Sequence, residues 1–338
     1  MDQEYTEQLS KIEAELKRWL PENPDSIWAE KIFTDIGKNT SADSMRFLID
    51  PIKELIFRGG KRWRPLLMTL ICETLGGGDA SIPLSPIVEF SHNASLIHDD
   101  IEDESDKRRG KPAIHKMFGV DTAINSASFL YFLASSCIED SGINKEQIYK
   151  LWLECMRRLH LGQAMDINWH RNISIVPSIE EYYIMCRMKT GSLARLAVEL
   201  GAMAAGAPPK TVEMLSEAAD KMGVGFQILD DVKNLTTGIP GKKRGDDVVE
   251  GKKGLPVLLY MHKYPEKREL IFYQFHAAKQ DGASAPEVEE LIDTLKNADI
   301  FSEAEEKGLA FLNETREIFG SINENSRAKL DGFINLIS

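Results

Sequence analysis

Two acidic clusters, each entered from an apolar stretch, constrain the fold of this chain more than any other feature. They are DDIED at 99–103 and DDVKN at 230–234. The apolar periodicity ahead of each cluster predicts a helix, in which residues four apart share a face one turn above each other. The first cluster then stacks Asp99 over Asp103, and such crowded carboxylates repel one another unless cations compensate them.

The donor chemistry of these clusters favours a magnesium site. Paired carboxylates are hard oxygen ligands, and neither cysteine nor paired histidine accompanies them. Mg²⁺ binds through one or two carboxylates together with substrate phosphates. A single cluster of this kind is equally typical of a solvated acidic helix face. Two clusters, each following an apolar helix, favour the metal.

Composition limits the class of protein. The chain has 338 residues, 43% of them hydrophobic, and a formal net charge of −12. The hydrophobic content suffices for a large core, and the negative charge argues against attraction to nucleic acid or anionic membranes. No run approaches the ~18 apolar residues of a membrane span. Residues 1–20 mix charged and apolar positions, unlike a signal peptide.

The cysteines indicate a reducing compartment. All four lie in apolar stretches without CxxC spacing, at Cys72, Cys137, Cys155 and Cys186. They are typical of reduced core residues, not of a disulfide or zinc framework. We therefore expect a soluble cytoplasmic protein.

The hydrophobic pattern is helical nearly throughout. Apolar positions repeat at helical spacing in residues 5–20, and further helices are predicted over 25–36, 266–279, 286–296 and 302–319. Strand signals are scarce, with no NG hairpin. The simplest reading is one all-α domain over 1–338. It comprises an N-terminal helical extension (1–45), a motif-bearing core (46–262) and C-terminal helices (263–338).

Basic residues and glycines gather where this pattern breaks. The runs occupy 59–65, 107–112, 241–245 and 251–254. A basic run is usually a solvated surface, but here four occur in an acidic protein, each at a helix break where glycine permits close approach of the backbone to phosphate. The carboxylates suit the metal, and the basic residues suit the phosphate charge that the metal leaves uncompensated. Together they predict a magnesium–diphosphate site.

At this point the sequence resembles a known family, the trans-isoprenyl diphosphate synthases (polyprenyl synthetases). The resemblance covers roughly residues 55–259. The matching segments, in chain order, are GGKRWRP at 59–65, the E-x-x-H of Glu89 and His92, LIHDDIED at 96–103, RRGKP at 108–112, GQAMD at 162–166, MKTG at 188–191, FQILDD at 226–231 and EGKKGLP at 250–256. Eight motifs in order are specific for fold and reaction class.

The resemblance implies an isoprenoid synthase fold: a single large bundle of mostly antiparallel helices around a deep central cavity, with the two aspartate motifs facing each other near its mouth. It also implies the role of each site residue. Isopentenyl diphosphate would be bound by Lys61, Arg64, His92 and Arg109. Mg²⁺, as several ions, would be held by Asp99, Asp103 and Asp230. The allylic diphosphate would be bound by Arg108, Lys189, Lys242 and Lys252, with Lys189, Thr190 and Gln227 beside the reacting carbons.

The implied reaction is the Mg²⁺-dependent head-to-tail (1′-4) condensation of isopentenyl diphosphate with an allylic diphosphate, usually by a homodimer. The residue types fit this chemistry. Ionisation of the allylic carbon–oxygen bond leaves extra negative charge on diphosphate, which metals and fixed cations stabilise. The carbocation requires a dry apolar cavity.

Besides the pair Ala127-Ser128, which stands where the family usually has Gly-Asp, two single positions depart from the family pattern. Asn234 stands where the second motif usually has its third aspartate, so it either ligates Mg²⁺ weakly through its carbonyl oxygen or only supports the site. Gly254 stands where threonine is common.

The length of the product depends on what closes the cavity. In this family, side chains one turn before the first aspartate motif stop chain growth. Here they are Ala94 and Ser95, both small, and Ser91 and Val88 follow upstream. This helix face leaves room for more than a C15 chain, so we expect a product of C20 or longer. The floor could instead come from Phe129, Phe132 or Met165, and a farnesyl (C15) product is the alternative.

Three other functions compete with this one. A class I terpene cyclase shares the aspartate-rich helix but needs no second diphosphate site. A ferritin-like di-iron protein would need a second Glu-x-x-His element, which the sequence lacks. A non-catalytic partner subunit would show no turnover alone. The preferred allylic starter does not follow from the sequence.

Overall fold

The chain folds almost entirely into α-helices. The computed structural model describes residues 5–37, 39–139, 141, 143–238 and 243–337. Within these residues the only strands form a two-residue antiparallel hairpin, β1 (Lys107–Arg108) and β2 (Lys111–Pro112). The all-α prediction is confirmed. Among the helices described, none is both long and apolar enough to cross a membrane.

The N-terminal helices occupy the segments before residue 140. They are α1 (Thr6–Trp19), α2 (Ser26–Gly37), α3 (Ala42–Ile56), α4 (Trp63–Thr74), α5 (Ser85–Glu102), α6 (Ile114–Phe118) and α7 (Val120–Glu139), with a short 3₁₀ turn at Ile82–Leu84. The amphipathic pattern of residues 5–20 is confirmed as α1, which buries Ile12, Leu16 and Trp19.

The remaining helices follow after residue 144. They are α8 (Lys145–Arg171), α9 (Ile179–Cys186), a π-helical segment (Arg187–Gly191), α10 (Ser192–Ala204), α11 (Pro209–Leu235), α12 (Asp246–Glu250), α13 (Leu255–Lys263), a 3₁₀ turn (Pro265–Lys267), α14 (Arg268–Asp281), α15 (Pro286–Asn297), α16 (Ile300–Gly320) and α17 (Glu324–Ile337). The three predicted C-terminal helices correspond to α14, α15 and α16, shifted by a few residues at their ends.

The chain divides into two compact units. The first comprises Met1–Leu153 and Leu196–Val212, and the second comprises Glu154–Arg195 and Glu213–Ser338. In the first unit, α5 packs along α7, and Ile97 of α5 is fully buried in one cluster with Ala123 and Ala127 of α7. In the second, α11, α13, α15 and α16 contribute to one large apolar core. The single domain over 1–338 stays a prediction.

None of the four cysteines forms a disulfide, and all four are buried. This agrees with the interpretation of Cys72, Cys137, Cys155 and Cys186 as reduced core residues. Burial in apolar surroundings disfavours the thiolate, so these side chains act as small hydrophobic groups.

Candidate active site

The first acidic cluster lies at the C-terminal end of α5. Pro86 in the first turn favours the start of this helix, and Glu104, in the left-handed region with φ 55°, follows its end. The amide of Asp103 donates to the carbonyl of Asp99 at 2.8 Å, which is the bond of a continuing α-helix. Asp99 and Asp103 therefore share one face, as the sequence predicts.

Arg108 on the hairpin contacts this cluster. Its Nε donates to Asp100 Oδ1 at 2.8 Å and its Nη2 to Asp99 Oδ2 at 3.3 Å. Asp100 is fully buried, so its charge requires a close cation. Burial opposes the charge on Arg108, but Asp100 and Asp99 outweigh it and raise the pKa of the guanidinium. The residue predicted to bind the allylic diphosphate thus contacts carboxylates beside the predicted metal position.

Arg109 packs against the glycine-rich loop that precedes α4. A Cβ at Gly60 would lie 3.1 Å from Arg109 Cζ, and Gly60 has φ +133°. Glycine is therefore required both by conformation and by the close guanidinium. Arg109 itself has φ 52°, and its Nη1 donates to the carbonyl of Leu55 at 2.9 Å. Burial, together with Arg62 and Arg108, lowers its pKa to about 10.

Arg62 in the same loop is a structural residue. Its guanidinium is buried and donates to Glu89 Oε1 at 2.8 Å, to Glu13 Oε1 at 2.6 Å and to the carbonyl of Ile56 at 2.5 Å. Asn93 also donates to Glu89 Oε1. The sequence predicts substrate contacts for Lys61 and Arg64 but gives no role to Arg62. Burial opposes its charge, but Glu89 outweighs that effect and raises the pKa of Arg62.

Arg64 and His92 lie side by side. Arg64 Nη1 is 3.2 Å from His92 Nε2, and Arg64 Cζ lies 4.1 Å from the centroid of the Trp63 ring. The cation–π contact and the imidazole together orient the guanidinium. Burial first, and then Arg64 and Arg109, lower the pKa of His92 well below its usual range. His92 is therefore neutral at pH 7. Lys61, in the glycine-rich loop that precedes α4, is exposed.

In the second unit, the MKTG motif forms the π-helical segment between α9 and α10. Helix α9 begins with a capping box, in which Ser178 Oγ accepts from the Glu181 amide and Glu181 Oε2 accepts from the Ser178 amide. The π-helical turn that follows carries Lys189 and Thr190. Such turns occur frequently at functional sites.

Two glycines let neighbouring helices approach this segment. A Cβ at Gly162 would lie 2.4 Å from the Lys189 nitrogen, and one at Gly223 would lie 2.4 Å from the Gly191 Cα. Because these contacts are with backbone, no side-chain movement could relieve them. The glycines of α8 and α11 therefore fix the position of Lys189 and Thr190.

Lys189 is paired with Asp166 of the GQAMD motif. Its Nζ donates to Asp166 Oδ2 at 2.6 Å. Burial alone would raise the pKa of Asp166, but Lys189 and Lys252 outweigh it and the pKa lies below its usual range. Lys252 also forms an ion pair with Glu250 at 2.5 Å. Both lysines predicted to bind the allylic diphosphate thus have carboxylate partners that orient them.

A chain of hydrogen bonds links Thr190 to Tyr182. Thr190 Oγ1 donates to Gln227 Oε1 at 2.7 Å, and Gln227 Nε2 donates to Asp231 Oδ1 at 2.9 Å. Asp231 Oδ2 accepts from Tyr182 at 2.6 Å and from the amide of Leu255 at 2.9 Å. The orientation of the Gln227 amide is therefore defined. The sequence predicts Thr190 and Gln227 but gives no signal for Tyr182, because the bond spans 49 residues.

Asp231 differs from its neighbour Asp230. Asp231 is buried, and burial together with Asp247 raises its pKa to about 7. Asp230 is half-buried, which leaves it better suited than Asp231 to contact a ligand. The two carboxylates of this motif thus have separate environments, Asp230 half-buried and Asp231 buried and hydrogen-bonded.

Both single-residue departures from the family pattern have structural explanations. Asn234 is fully buried, and its Oδ1 accepts from the amide of Asp247 at 3.3 Å. Its side chain therefore holds the first turn of α12, which agrees with the supporting role. A Cβ at Gly254 would lie 2.6 Å from Asp231 Oδ2. Only glycine leaves room for this carboxylate.

The predicted chain-length positions are small and covered. Ala94 is fully buried and Ser95 half-buried. One turn earlier on α5, Ser91 accepts a hydrogen bond from the indole of Trp152 on α8. Phe129 stacks on Phe33 at 5.5 Å, and Met165 packs against the core of the second unit. Phe132 is 67% exposed, which disfavours it as the floor.

The carboxylates are chemically suited to magnesium. Among the described residues no set of three or more His, Cys, Asp or Glu side chains is arranged to hold a metal by itself. Mg²⁺ is usually bound through one or two carboxylates, with substrate phosphates and water completing its shell. Asp99 and Asp103 on one helix face, and Asp230, supply such hard oxygens. Lys242 lies outside the described residues, so its role stays a prediction.

The helical fold and these two sets of carboxylates and cations define a class of enzyme, one that binds diphosphate esters and transfers a prenyl group. Comparison with known proteins identifies the family. Residues 45–295 match the family model of the polyprenyl synthetases. The chain belongs to this family and is a prenyltransferase.

Comparisons with individual relatives agree with this family assignment. The chain is 37% identical over 228 residues to the geranylfarnesyl diphosphate synthase of Aeropyrum pernix, covering 64% of this chain and 71% of that protein. It is 35% identical over 263 residues to the short chain isoprenyl diphosphate synthase of Methanocaldococcus jannaschii, covering 76% of this chain and 79% of that protein. The fold matches geranylgeranyl pyrophosphate synthase from Corynebacterium glutamicum complexed with isoprenyl diphosphate and magnesium, with a TM-score of 0.83, 22% identity and coverage of 99% and 98%.

Proposed function

We propose that this prenyltransferase condenses isopentenyl diphosphate with an allylic diphosphate head to tail, and that its product is C20 or longer. The observation that carries the proposal lies in the first unit. It holds a carboxylate pair, Asp99 and Asp103, and also a second set of cations, Arg64 and Arg109, around neutral His92. A terpene cyclase has one diphosphate substrate, so it would need no second set of cations to bind another diphosphate.

The cations bind and orient the substrates. Arg64, Arg109 and Lys61 would hold the diphosphate of isopentenyl diphosphate, with His92 as a neutral hydrogen-bonding partner. Arg108, Lys189, Lys252 and Lys242 would hold the allylic diphosphate. Mg²⁺ held by Asp99, Asp103 and Asp230 would supply further positive charge for that diphosphate.

The reaction breaks the allylic carbon–oxygen bond, and the electron pair leaves with diphosphate. The double bond of isopentenyl diphosphate then forms the new carbon–carbon bond, and a proton is lost to the departed diphosphate. The dipoles of Thr190 and Gln227, fixed by Asp231, would face the developing carbocation. Their preorganisation avoids the cost of reorienting dipoles during the reaction.

The chain-length proposal is supported by the small residues Ala94 and Ser95 and by the relatives. The Aeropyrum pernix protein is a geranylfarnesyl diphosphate synthase, and several fungal relatives are geranylgeranyl pyrophosphate synthases. The alternative, a C15 product, would require a floor close to Ser95.

We further propose that the protein acts as a cytoplasmic homodimer. Helix α7 exposes Phe132 to 67%, Val120 to 49% and Ile124 to 43%. Exposed apolar groups along one helix are typical of a surface that a second copy covers. Light scattering after size-exclusion chromatography would show a mass near 76 kDa, twice the 38.0 kDa of the chain.

Product analysis tests the function. Purified protein is incubated with Mg²⁺, labelled isopentenyl diphosphate and, separately, C5, C10, C15 and C20 allylic starters, and the dephosphorylated products are separated by length. We expect a series ending at a defined length of C20 or more. A series ending at C15 would contradict the proposed product length but support the proposed reaction. No incorporation from any starter would contradict a stand-alone enzyme.

A further inference from the structure

We propose that Arg58 is the positioning residue of the basic hairpin, holding Arg108 and Arg109 in place before any substrate binds. This inference rests on the proposed function of those two arginines. Arg58 follows the C-terminal end of α3 and is not part of any motif identified in the sequence. Its side chain is only 1% exposed.

The guanidinium of Arg58 bonds to the backbone of the hairpin at both sides of its turn. Nη1 donates to the carbonyl of Arg108 at 3.0 Å and to the carbonyl of Pro112 at 2.8 Å. One planar group thus joins β1 to the end of β2. The hairpin has only two residues in each strand, too few to define its position by strand pairing.

The other donors of Arg58 are also engaged. Nε donates to Glu54 Oε1 at 3.2 Å, and Nη2 lies 2.9 Å from the sulfur of Met117. Four of its five N–H groups are therefore used within the protein. A buried guanidinium with four of its five N–H groups engaged is poorly suited to bind a substrate phosphate. In this respect Arg58 differs from the exposed arginines of a typical phosphate site.

Glu54 completes the attachment from the same helix. Its Oε1 also accepts from Lys111 Nζ of β2 at 3.0 Å. Hydrogen bonding from Lys111 is the main reason that the pKa of Glu54 lies below its usual range. The carbonyl of Leu55 accepts from Arg109. The last turn of α3, where the helix dipole favours cations, is thus the platform on which the hairpin rests.

Electrostatics explains why such a platform is needed. Arg62, Arg64, Arg108 and Arg109 lie close enough together for their charges to act on His92. Arg62 and Arg108 have carboxylate partners, and a bound diphosphate would reduce the repulsion that remains among the four cations. Bonds from Arg58 to carbonyl oxygens hold the hairpin against this repulsion without occupying the side chains of Arg108 and Arg109.

The test compares Arg58→Met, Arg58→Lys and the unchanged enzyme. Losing the bonds to two carbonyls should raise the KM for isopentenyl diphosphate about tenfold, which corresponds to ~1.4 kcal/mol. The length of the product should not change, since the floor is untouched. Arg58→Lys keeps the charge but cannot bridge both carbonyls, so its KM should also rise. Arg46→Met is the matched control on α3, because Arg46 forms one exposed ion pair.

A second measurement does not depend on turnover. Amide hydrogen exchange of peptides covering 107–113 should become at least tenfold faster in both Arg58 variants, while peptides from α7 stay unchanged. Variants with unaltered KM and unaltered exchange of the hairpin would overturn the proposal, as would equal changes in the Arg46 control. If the unchanged enzyme condensed no substrates, the proposed function would fail, and hydrogen exchange would still decide whether Arg58 holds the hairpin.

Discussion

The indole nitrogen of Trp152 donates a 3.0 Å hydrogen bond to Ser91 Oγ in a fully buried contact. Ser91 lies eight residues before Asp99 on α5, which corresponds to about 12 Å along the helix axis. Small side chains at 91, 94 and 95 leave room on this face, but the bulk of Trp152 occupies it. We therefore propose that Trp152 of α8 forms the floor that limits the length of the product.

Replacement of this indole should lengthen the product. Trp152→Leu removes much of the side-chain volume, so we expect a final product at least one five-carbon unit longer than that of the unchanged enzyme. Trp152→Phe keeps an aromatic ring and should change the length less. Product analysis with a C15 starter makes the measurement. Leu153→Ala is the control, since Leu153 is 46% exposed on the same helix; an equal shift there would contradict the assignment.

Periodicity is sufficient to predict the helices and the shared face of Asp99 and Asp103, because both depend on residues within one or two turns. Contacts between distant segments are a different matter. The bond from Trp152 to Ser91 spans 61 residues, and no local pattern encodes it. The same applies to Gly162, whose contact with the Lys189 backbone depends on how α8 packs on the π-helical segment.

Charge patterns predict which residues gather, but not which of them contact ligands. In GGKRWRP the family resemblance assigns substrate roles to Lys61 and Arg64, but no local pattern predicts what Arg62 contacts. The structure buries Arg62 against Glu89 and leaves Lys61 exposed. The hairpin that carries Arg108 was not predicted either, since strands of two residues show no alternation.

Gly254 should not tolerate the threonine that is common in the family. Its φ of −61° is accessible to any residue. Any loss of stability would therefore come from the contact of 2.6 Å between a new Cβ and Asp231 Oδ2, not from backbone strain. We expect Gly254→Ala and Gly254→Thr to lower the free energy of unfolding by about 1–3 kcal/mol, with the larger loss for threonine. Denaturant unfolding measures this change. In Gly191→Ala the nearest contact is 3.4 Å, and an equal loss there would show that the Asp231 contact is not the cause.

Restoring the missing aspartate of the second motif should be harmful. Asn234 is fully buried, and its Oδ1 already accepts from the Asp247 amide. Asn234→Asp would add a third carboxyl group near Asp231 and Asp247, at a position without access to water. We expect a loss of about 1–3 kcal/mol in stability and no gain in kcat at saturating Mg²⁺. Thermal unfolding and steady-state kinetics together decide; a stable variant with raised kcat would mean that Asn234 faces the metal.

Lys253 should make stability depend on pH. Its ammonium is buried and donates to the carbonyl of Trp169, and burial lowers its pKa to about 8 from 10.5. Below pH 8 both the folded and unfolded states bind the proton, and the buried charge destabilises the fold. Between pH 8 and 10.5 the unfolded state binds more protons than the folded state, so this group makes stability rise with pH, by at most ~1.4 kcal/mol per pH unit.

The difference between the unchanged enzyme and Lys253→Met isolates this effect. We expect the stability of the unchanged enzyme relative to the variant to increase from pH 8 to pH 10, and to stay constant between pH 6 and pH 7.5. Denaturant unfolding at each pH provides the free energies. Lys210→Met, at an exposed lysine, should show no such slope. A flat difference from pH 8 to pH 10 would mean that Lys253 keeps its proton, and that its bond to Trp169 compensates fully for burial.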